Sequence, residues 1–554
     1  MGRRITKATS IFAAILVLST MLSGCGSKTG NNQESSGNQV TQDTSGIQAV
    51  KTTSQDNQSN LVYPIKTDAI IKYWVVLNGN VASQYTNLGE TPYAKELARQ
   101  TGITVEYIHP ASGQEQDSLN LMLASSDLPD IIEWDFNGKF NGGAENAINQ
   151  GYILSLNDVI DKYCPNLNEL LQQNPDFGKY MKTDSGIMFA FPMIRDPENS
   201  EIVLSTEGPI IRKDWLDDLG LQIPTTIDEW ETALKAFRDK KGATAPLTRN
   251  GIDSFLIEGY FISDYVKTKD FYHEGDVVKL GYLEPQYKDA IGLLSRWYKD
   301  GILDNNVFSV DPKIRDANML TGKSGASIGY GNSHLATWNA TAQKDNPKYE
   351  LVGAVNPTIK KGDKAKYGSL TATVDTAFGS ICATSKNVEI AARLLDYGYS
   401  KEGILLMNYG IENESYKLVD GKPEYTEFIT NNPEKVTVSK MRAQYTRCVY
   451  SAPSIQYGIR QIMNPTVLDA FQKWHNTDAG EYKLFGLTAT AEEATELAKL
   501  ESDINTYHDE MVTKFILGIE PISNFEKFQE QLKVMGAERI LQMKQAQYDR
   551  FLKR

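Results

Sequence analysis

Along the chain, short β-branched and aromatic runs alternate with stretches whose apolar residues recur at helical spacing. The run from Ile70 to Val76 reads as a buried strand. Thr91-Pro92 supplies a helix N-cap and a proline in the first turn. Ala94, Leu97 and Ala98 continue the helical pattern, and Gly102 ends it. A strand follows over 103–107, which completes a β-α-β unit. Leu119, Met122 and Leu123 mark a second helix, broken at Asp127-Leu128-Pro129 before a strand over 130–134. Thr226 to Glu229 is a capping box heading a helix that carries Ile227, Trp230, Leu234 and Phe237 on one face and closes at Gly242, so Trp230 reads as core. Helices are also predicted over 286–299, 388–397 and 491–517, and over 524–552 with a break at Gly536. This alternation favours parallel or mixed sheets covered by helices, with ligands collecting beyond the carboxyl ends of the strands. Trp134 and Asp135 fall at such an end.

The front of the chain follows a different pattern. Arg3, Arg4 and Lys7 precede an apolar run from Ile11 to Leu22, then Leu22-Ser23-Gly24-Cys25. This is the layout of a secretory signal, and the run is shorter than the ~20 apolar residues a spanning helix needs. Leu22 to Cys25 resembles a bacterial lipoprotein box, which implies lipidation of Cys25 and removal of residues 1–24; an ordinary signal peptide is the alternative. Two acyl chains would suffice for stable attachment. Residues 25–60, rich in Ser, Thr, Gln, Asn and Gly, read as a disordered linker.

Composition then limits the body. About 490 residues beyond the linker suggest two or more lobes, and 41% hydrophobic with 10% aromatic residues is enough for sizeable cores. The net charge of −13, which becomes −16 once Arg3, Arg4 and Lys7 are removed, argues against nucleic acid and polyanions as partners. Cys164, Cys382 and Cys448 show no metal spacing and read as buried thiols, with one disulfide left open. The five histidines show no H-E-x-x-H, so neither a zinc site nor a cofactor is expected, while a structural calcium stays open. Thr321-Gly322-Lys323-Ser324 lacks the first glycine of a phosphate-binding loop, Ala317 standing in its place, and 196–201 lacks the sixth-position glycine of a calcium loop.

Several stretches together resemble the extracellular solute-binding proteins of ABC importers, family 1, a maltose-binding-protein-like group. They are Thr101 to Val105, Ala124 to Ile132, Ile211 to Gly220 with Pro224-Thr225-Thr226 and Trp230, Tyr298 to Leu303, Gly403 to Gly410 and Lys514 to Gly518. The resemblance implies an α/β, two-lobed, periplasmic-binding-protein-like fold. Each lobe would be a mixed sheet flanked by helices, joined by crossing strands near 187–192 and 374–378. Lobe 1 is expected over 61–192 plus 376–410, and lobe 2 over 193–375 plus 411–554.

The resemblance also implies the function. A lipid-anchored protein on the outer face of the cell membrane would capture a carbohydrate, expected to be an oligosaccharide, and deliver it to permease subunits. It would be a monomer held to the membrane by its anchor only, and not an enzyme. A glycan-acting enzyme and a ligand sensor are the alternatives. Sugars need aromatic platforms and hydroxyl partners. The candidate ligand residues are Trp134, at a position where this family contacts ligand, Asp135 beside it, Tyr260, Tyr330, Asn332, Asn78, Asp375 and Tyr409. Each has a second reading, as a core ring, a cap or a strand-end carboxylate.

Overall fold

The computed structural model describes residues 62–125, 127–195, 204–434, 436–447, 452–454 and 464–554. Cys25, the linker, the acidic segment 196–201 and Cys448 lie outside them. Two mixed sheets organise the fold. In the larger, β14 (Pro453–Ser454), β4 (Phe191–Arg195), β11 (Val374–Ile381), β3 (Ile131–Glu133), β1 (Ile70–Trp74) and β2 (Thr104–Ile108) lie side by side in that order. In the smaller the order is β10 (Leu351–Gly353), β5 (Glu207–Arg212), β9 (Ala326–Tyr330), β6 (Leu247–Thr248). Two hairpins, β7 (Phe271–Glu274) with β8 (Val277–Leu280) and β12 (Tyr416–Val419) with β13 (Lys422–Tyr425), stand apart.

The first unit forms as its sequence pattern implies. The Thr91 side chain accepts from the Ala94 N–H at 3.2 Å, helix Pro92–Thr101 follows, and Gly102 ends it at φ 72°. A Cβ at Gly102 would lie 2.2 Å from the Ile65 carbonyl oxygen, so this stop demands glycine. The chain then returns as β2, parallel to β1, and β3 pairs with β1 on its other side. That reversal makes a topological switch point between β1 and β3. Alternation along the strands divides the core: Ile71, Tyr73 and Ile131 pack on one face, while Trp74, Ile132 and Trp134 pack on the other with Leu119 and Phe136.

The smaller sheet is covered in the same way. Trp230, Leu234 and Phe237, from helix Ile227–Lys241, pack with Ile211, Trp297 and, from the end of the chain, Val512, Phe515, Phe528 and Ile540. Trp230 is fully buried, as its helix face predicts. Helix Pro465–His475 covers the opposite face over three glycines. A Cβ at Gly208, Gly331 or Gly353 would approach Trp474, Phe471 or Ala470 to 2.3 or 2.4 Å, so their absent side chains let the helix sit against the strands.

Strand directions show how the lobes join. In the larger sheet β1, β2, β3, β4 and β14 point one way and β11 points back; in the smaller, β5 runs against its neighbours β9 and β10 while β6 is parallel to β9. The chain therefore leaves the carboxyl end of β4 and enters β5, and leaves the carboxyl end of β10 and enters β11. A third passage leads from β14 to helix Pro465–His475. The first two passages hold each other: the Arg195 N–H donates to the Thr373 carbonyl at 2.8 Å, and the Thr371 N–H to the Leu204 carbonyl at 2.8 Å. The fold is two α/β lobes joined by crossing segments. The segment over 187–192 is only partly strand, since β4 begins at Phe191, whereas 374–378 lies wholly in β11.

The stretch beyond Tyr409 packs with the larger sheet. Helix Val438–Tyr445 contacts helices Gly79–Ala82 and Pro92–Thr101, and β14 pairs with β4. A second contact between the lobes lies at the end of the chain. Asp184, in the turn before β4, accepts from both Arg550 and Arg554, and Arg550 is also held by Glu493 through two bonds of 2.9 and 2.5 Å. Arg554 donates further to the carbonyls of Lys179, Lys182 and Gly486 at 3.2, 2.5 and 3.0 Å.

Candidate ligand-binding site

A cavity of about 220 Å³ opens at the switch point. Its walls come from the turn after β1, with Val76, Leu77 and Asn78, and from Val81, Leu88, Glu133, Thr446 and Arg447. Asn78 caps the short helix that follows, its side-chain oxygen accepting from the Asn80 N–H at 2.9 Å. His109 braces the same turn: its Nδ1 meets the Val75 carbonyl at 2.8 Å while its Nε2 accepts from the Leu88 N–H at 3.1 Å. That pattern puts the proton on Nδ1 of a neutral ring, and burial, the largest influence, lowers its pKa accordingly.

Glu133 and Arg447 form the charged part of the cavity. The Arg447 Nη2 donates to Glu133 Oε2 at 2.8 Å, the Tyr73 hydroxyl donates to the same oxygen at 2.7 Å, and both charged side chains are about nine-tenths buried. Desolvation alone would lower the Arg447 pKa, but Glu133 and the surrounding tyrosine hydroxyls outweigh it and raise it. Burial, with Glu133, drives the Tyr73 hydroxyl well above its ordinary range, and burial pushes Tyr107 up to about 12. The guanidinium stays charged and the phenols stay neutral. The cavity thus offers a fixed cation, a fixed anion and an amide.

The equivalent edge of the smaller sheet carries a second pair. Glu207 begins β5, Arg249 follows β6, and Tyr330 ends β9. Arg249 Nη2 lies 2.8 Å from Glu207 Oε1, and Arg249 also donates to the Ser254 hydroxyl and the Ile328 carbonyl, each at 3.0 Å. Burial raises the Glu207 pKa and Arg249 opposes that rise. Tyr330 is 46% exposed. Its backbone N–H donates to His334 Nδ1 at 2.9 Å, and the His334 ring stacks on Trp338 at 4.9 Å. His334 lies on a π-helical turn, Gly331–Ala336, a distortion often found at functional sites, with Tyr330 just before it and Trp338 just after. At the crossing itself, Arg195 Nη2 lies 3.4 Å from Asp375 Oδ2, where the register of β11 against β4 shifts.

The sequence candidates divide accordingly. Asn78 lines the cavity, Tyr330 and Asn332 stand exposed at the edge of the smaller sheet, and Asp375 sits at the crossing. Trp134 is 9% exposed, set edge-on to Trp74 at 6.0 Å with Lys139 Nζ 5.4 Å from its ring, and its indole N–H has no partner among the described residues. It belongs to the face opposite the cavity because the alternation of β3 sends Glu133 inward in its place. Asp135 accepts from the Gly138 N–H at 2.7 Å and shapes the turn after β3.

Two candidates are sealed from solvent. Tyr260 has no exposed surface and its hydroxyl donates to the Glu207 carbonyl at 3.0 Å, which places it behind the second pair as a support. Tyr409 is likewise fully buried, packed with Tyr416 and Tyr425, because helix Lys401–Tyr409 turns that ring into the core. Glu133, Arg447, Glu207 and Arg249 were missed. The first adjoins a predicted strand end, a usable signal, but Arg447 comes from 314 positions away and nothing local marks it.

Cys164 and Cys382 are free and buried. Among the described residues no group of three or more His, Cys, Asp or Glu could hold a metal ion, and no helix is long and apolar enough to cross a membrane.

Known proteins share this plan. The fructooligosaccharide ABC transporter substrate-binding protein FusA of Streptococcus pneumoniae is 23% identical over 484 residues, covering 82% of this chain and 86% of that protein. The polygalacturonan/rhamnogalacturonan-binding protein YtcQ of Bacillus subtilis is 29% identical over 246 residues, 42% of this chain and 46% of that protein. The crystal structure of alginate-binding protein AlgQ2 without calcium ion superposes with a TM-score of 0.69 at 24% identity, over 87% of this chain and 99% of that one, a likeness of fold. The model of bacterial extracellular solute-binding proteins matches residues 85–404, more than half of the sequence, and the chain belongs to that family.

Proposed function

We propose that this protein is the substrate-binding component of an ABC importer, tethered outside the cell membrane through lipidated Cys25, that captures an oligosaccharide between its lobes and presents it to permease subunits. The observation that carries this reading is the pairing of two strand edges at the crossing. One offers Asn78, Glu133 and Arg447, the other Glu207, Arg249, Tyr330 and Asn332, and a ligand bridging them would stabilise a closed form. Asp375 flanks this site at the crossing, while Trp134 supports the larger sheet from its other face and Asp135 shapes the turn after β3. Relatives with carbohydrate-binding names support the cargo class, and Leu22 to Cys25 supports the anchor. We assign lobe 1 to 61–195, 374–410 and the stretch 411–454, and lobe 2 to 204–373 and 464–554. One bilobed body closes its own site, so the protein acts as a monomer.

The test is a thermal-shift screen of glycans followed by calorimetry, since selective binding raises apparent stability by mass action. A glycan should bind stoichiometrically and remain intact. Tyr330→Ala should weaken that binding more than tenfold with unchanged melting of the free protein. Release of cleaved product would favour the enzyme reading, and unaltered affinity would remove Tyr330 from the site.

A further inference from the structure

The charges at the two strand edges bear on what kind of glycan fits, an inference that rests on the carbohydrate reading above. Four arginines stand at the edges and the crossing, and each is already matched by a carboxylate of the protein: Arg447 by Glu133 at 2.8 Å, Arg249 by Glu207 at 2.8 Å, Arg195 by Asp375 at 3.4 Å, and Arg315, beside Trp338, by Asp316 at 2.8 Å. The Arg447 and Arg249 side chains are 10% exposed and those of Glu133 and Glu207 are 11% and 7% exposed, so water screens these pairs weakly.

We infer that the site selects a neutral, hydroxyl-rich oligosaccharide and rejects polyuronates, with Glu133 and Glu207 as the residues that enforce the choice. A sugar hydroxyl can accept from a guanidinium while its neighbour donates to the paired carboxylate. A vicinal diol therefore meets both members of a pair without changing the net charge. A uronate carboxylate must share an arginine with a carboxylate fixed beside it. Two like charges then sit close together where burial weakens screening, a built-in penalty against the wrong ligand. Lys139, beside Trp134, is exposed to solvent, and its attraction for a uronate is correspondingly screened.

The experiment uses the full-length protein in detergent. Calorimetry compares neutral fructo-, xylo- and galacto-oligosaccharides with oligogalacturonates of the same length. At least one neutral glycan should bind, and every oligogalacturonate should bind at least 100-fold more weakly than the best neutral one. Glu133→Gln should narrow that gap at least tenfold, through weaker neutral binding and stronger uronate binding, and Glu207→Gln should act in the same direction. Melting curves establish that each variant is folded. If the protein prefers oligogalacturonate, or if both folded variants keep the original selectivity, the inference falls while the carbohydrate reading stands. Binding of neither class overturns both.

Discussion

Replacing Asp184 with alanine tests how the lobes are held at the end of the chain. Asp184 is 9% exposed and accepts from both Arg550 and Arg554, so its loss strips two guanidinium groups of a shared buried partner. Removing one member of a buried pair costs about 3–5 kcal/mol when the other is left uncompensated. Here the compensation is partial: Arg550 is 29% exposed and keeps Glu493, and Arg554 keeps three carbonyls and the Thr488 hydroxyl. The expected loss is therefore about 2–3 kcal/mol, just below that range because both guanidinium groups keep other partners. The control is Glu496→Ala, which breaks the Arg539–Glu496 pair at 2.7 Å with side chains 53% and 41% exposed. Exposed pairs contribute at most about 1 kcal/mol. Urea unfolding followed by tryptophan fluorescence should separate the two variants, with Asp184→Ala moving the midpoint by about 0.8 M on a slope of about 3 kcal/mol per molar urea. Equal midpoints for the two variants would show that burial adds nothing to this contact.

Two further outcomes follow from titratable groups. Burial, with Arg315 and Arg249 adding to it and Asp316 opposing, pushes His334 down to about 4. A base whose folded value is depressed contributes stability above its ordinary value near 6.5, and this is lost as pH falls through about 4. Protonation also removes the acceptor for the Tyr330 N–H, so ligand affinity should weaken between pH 6 and 4 in the parent and change less in His334→Gln; flat parent affinity over that range would refute it. The Cys164 and Cys382 thiols are raised well above their usual range, chiefly by burial. Mass spectrometry after iodoacetamide should find both unmodified in the native protein and labelled in denaturant, and rapid native labelling would contradict the packing.

Local signals were the legible ones. Helices Val388–Tyr397 and Ala491–Leu517 match their predicted spans, and Gly536, at φ 108°, breaks the final helical stretch where glycine implied it. Each of these follows from caps and periodicity within one segment. The site was legible only in part because a binding edge is assembled from distant pieces. The end of β3 was identified from sequence, but which of Glu133 and Trp134 faces the cavity depends on the sheet's register, and a shift of one residue exchanges the faces. Tyr260 and Tyr409 show the same limit: an aromatic residue near a cleft-like motif reads alike whether it contacts ligand or supports a neighbour. Arg447 could not be placed without knowing that β14 returns to pair with β4.

That return bears on how the protein is made. The larger sheet gains its edge strand only at Pro453, and the core around Ile211 and Trp230 includes Phe528, Ile540 and Met543. The lobe of the larger sheet is complete only after Ser454, and that of the smaller sheet only once Met543 has been added. Early segments, however strong their local propensities, must wait for partners hundreds of residues downstream, and contacts of such separation form slowly. The chain therefore remains unfinished for most of its synthesis, exposing apolar surface that invites aggregation or chaperone capture. The interleaving that unites the lobes also postpones their folding, the first until β14 and the second until the last helices have emerged.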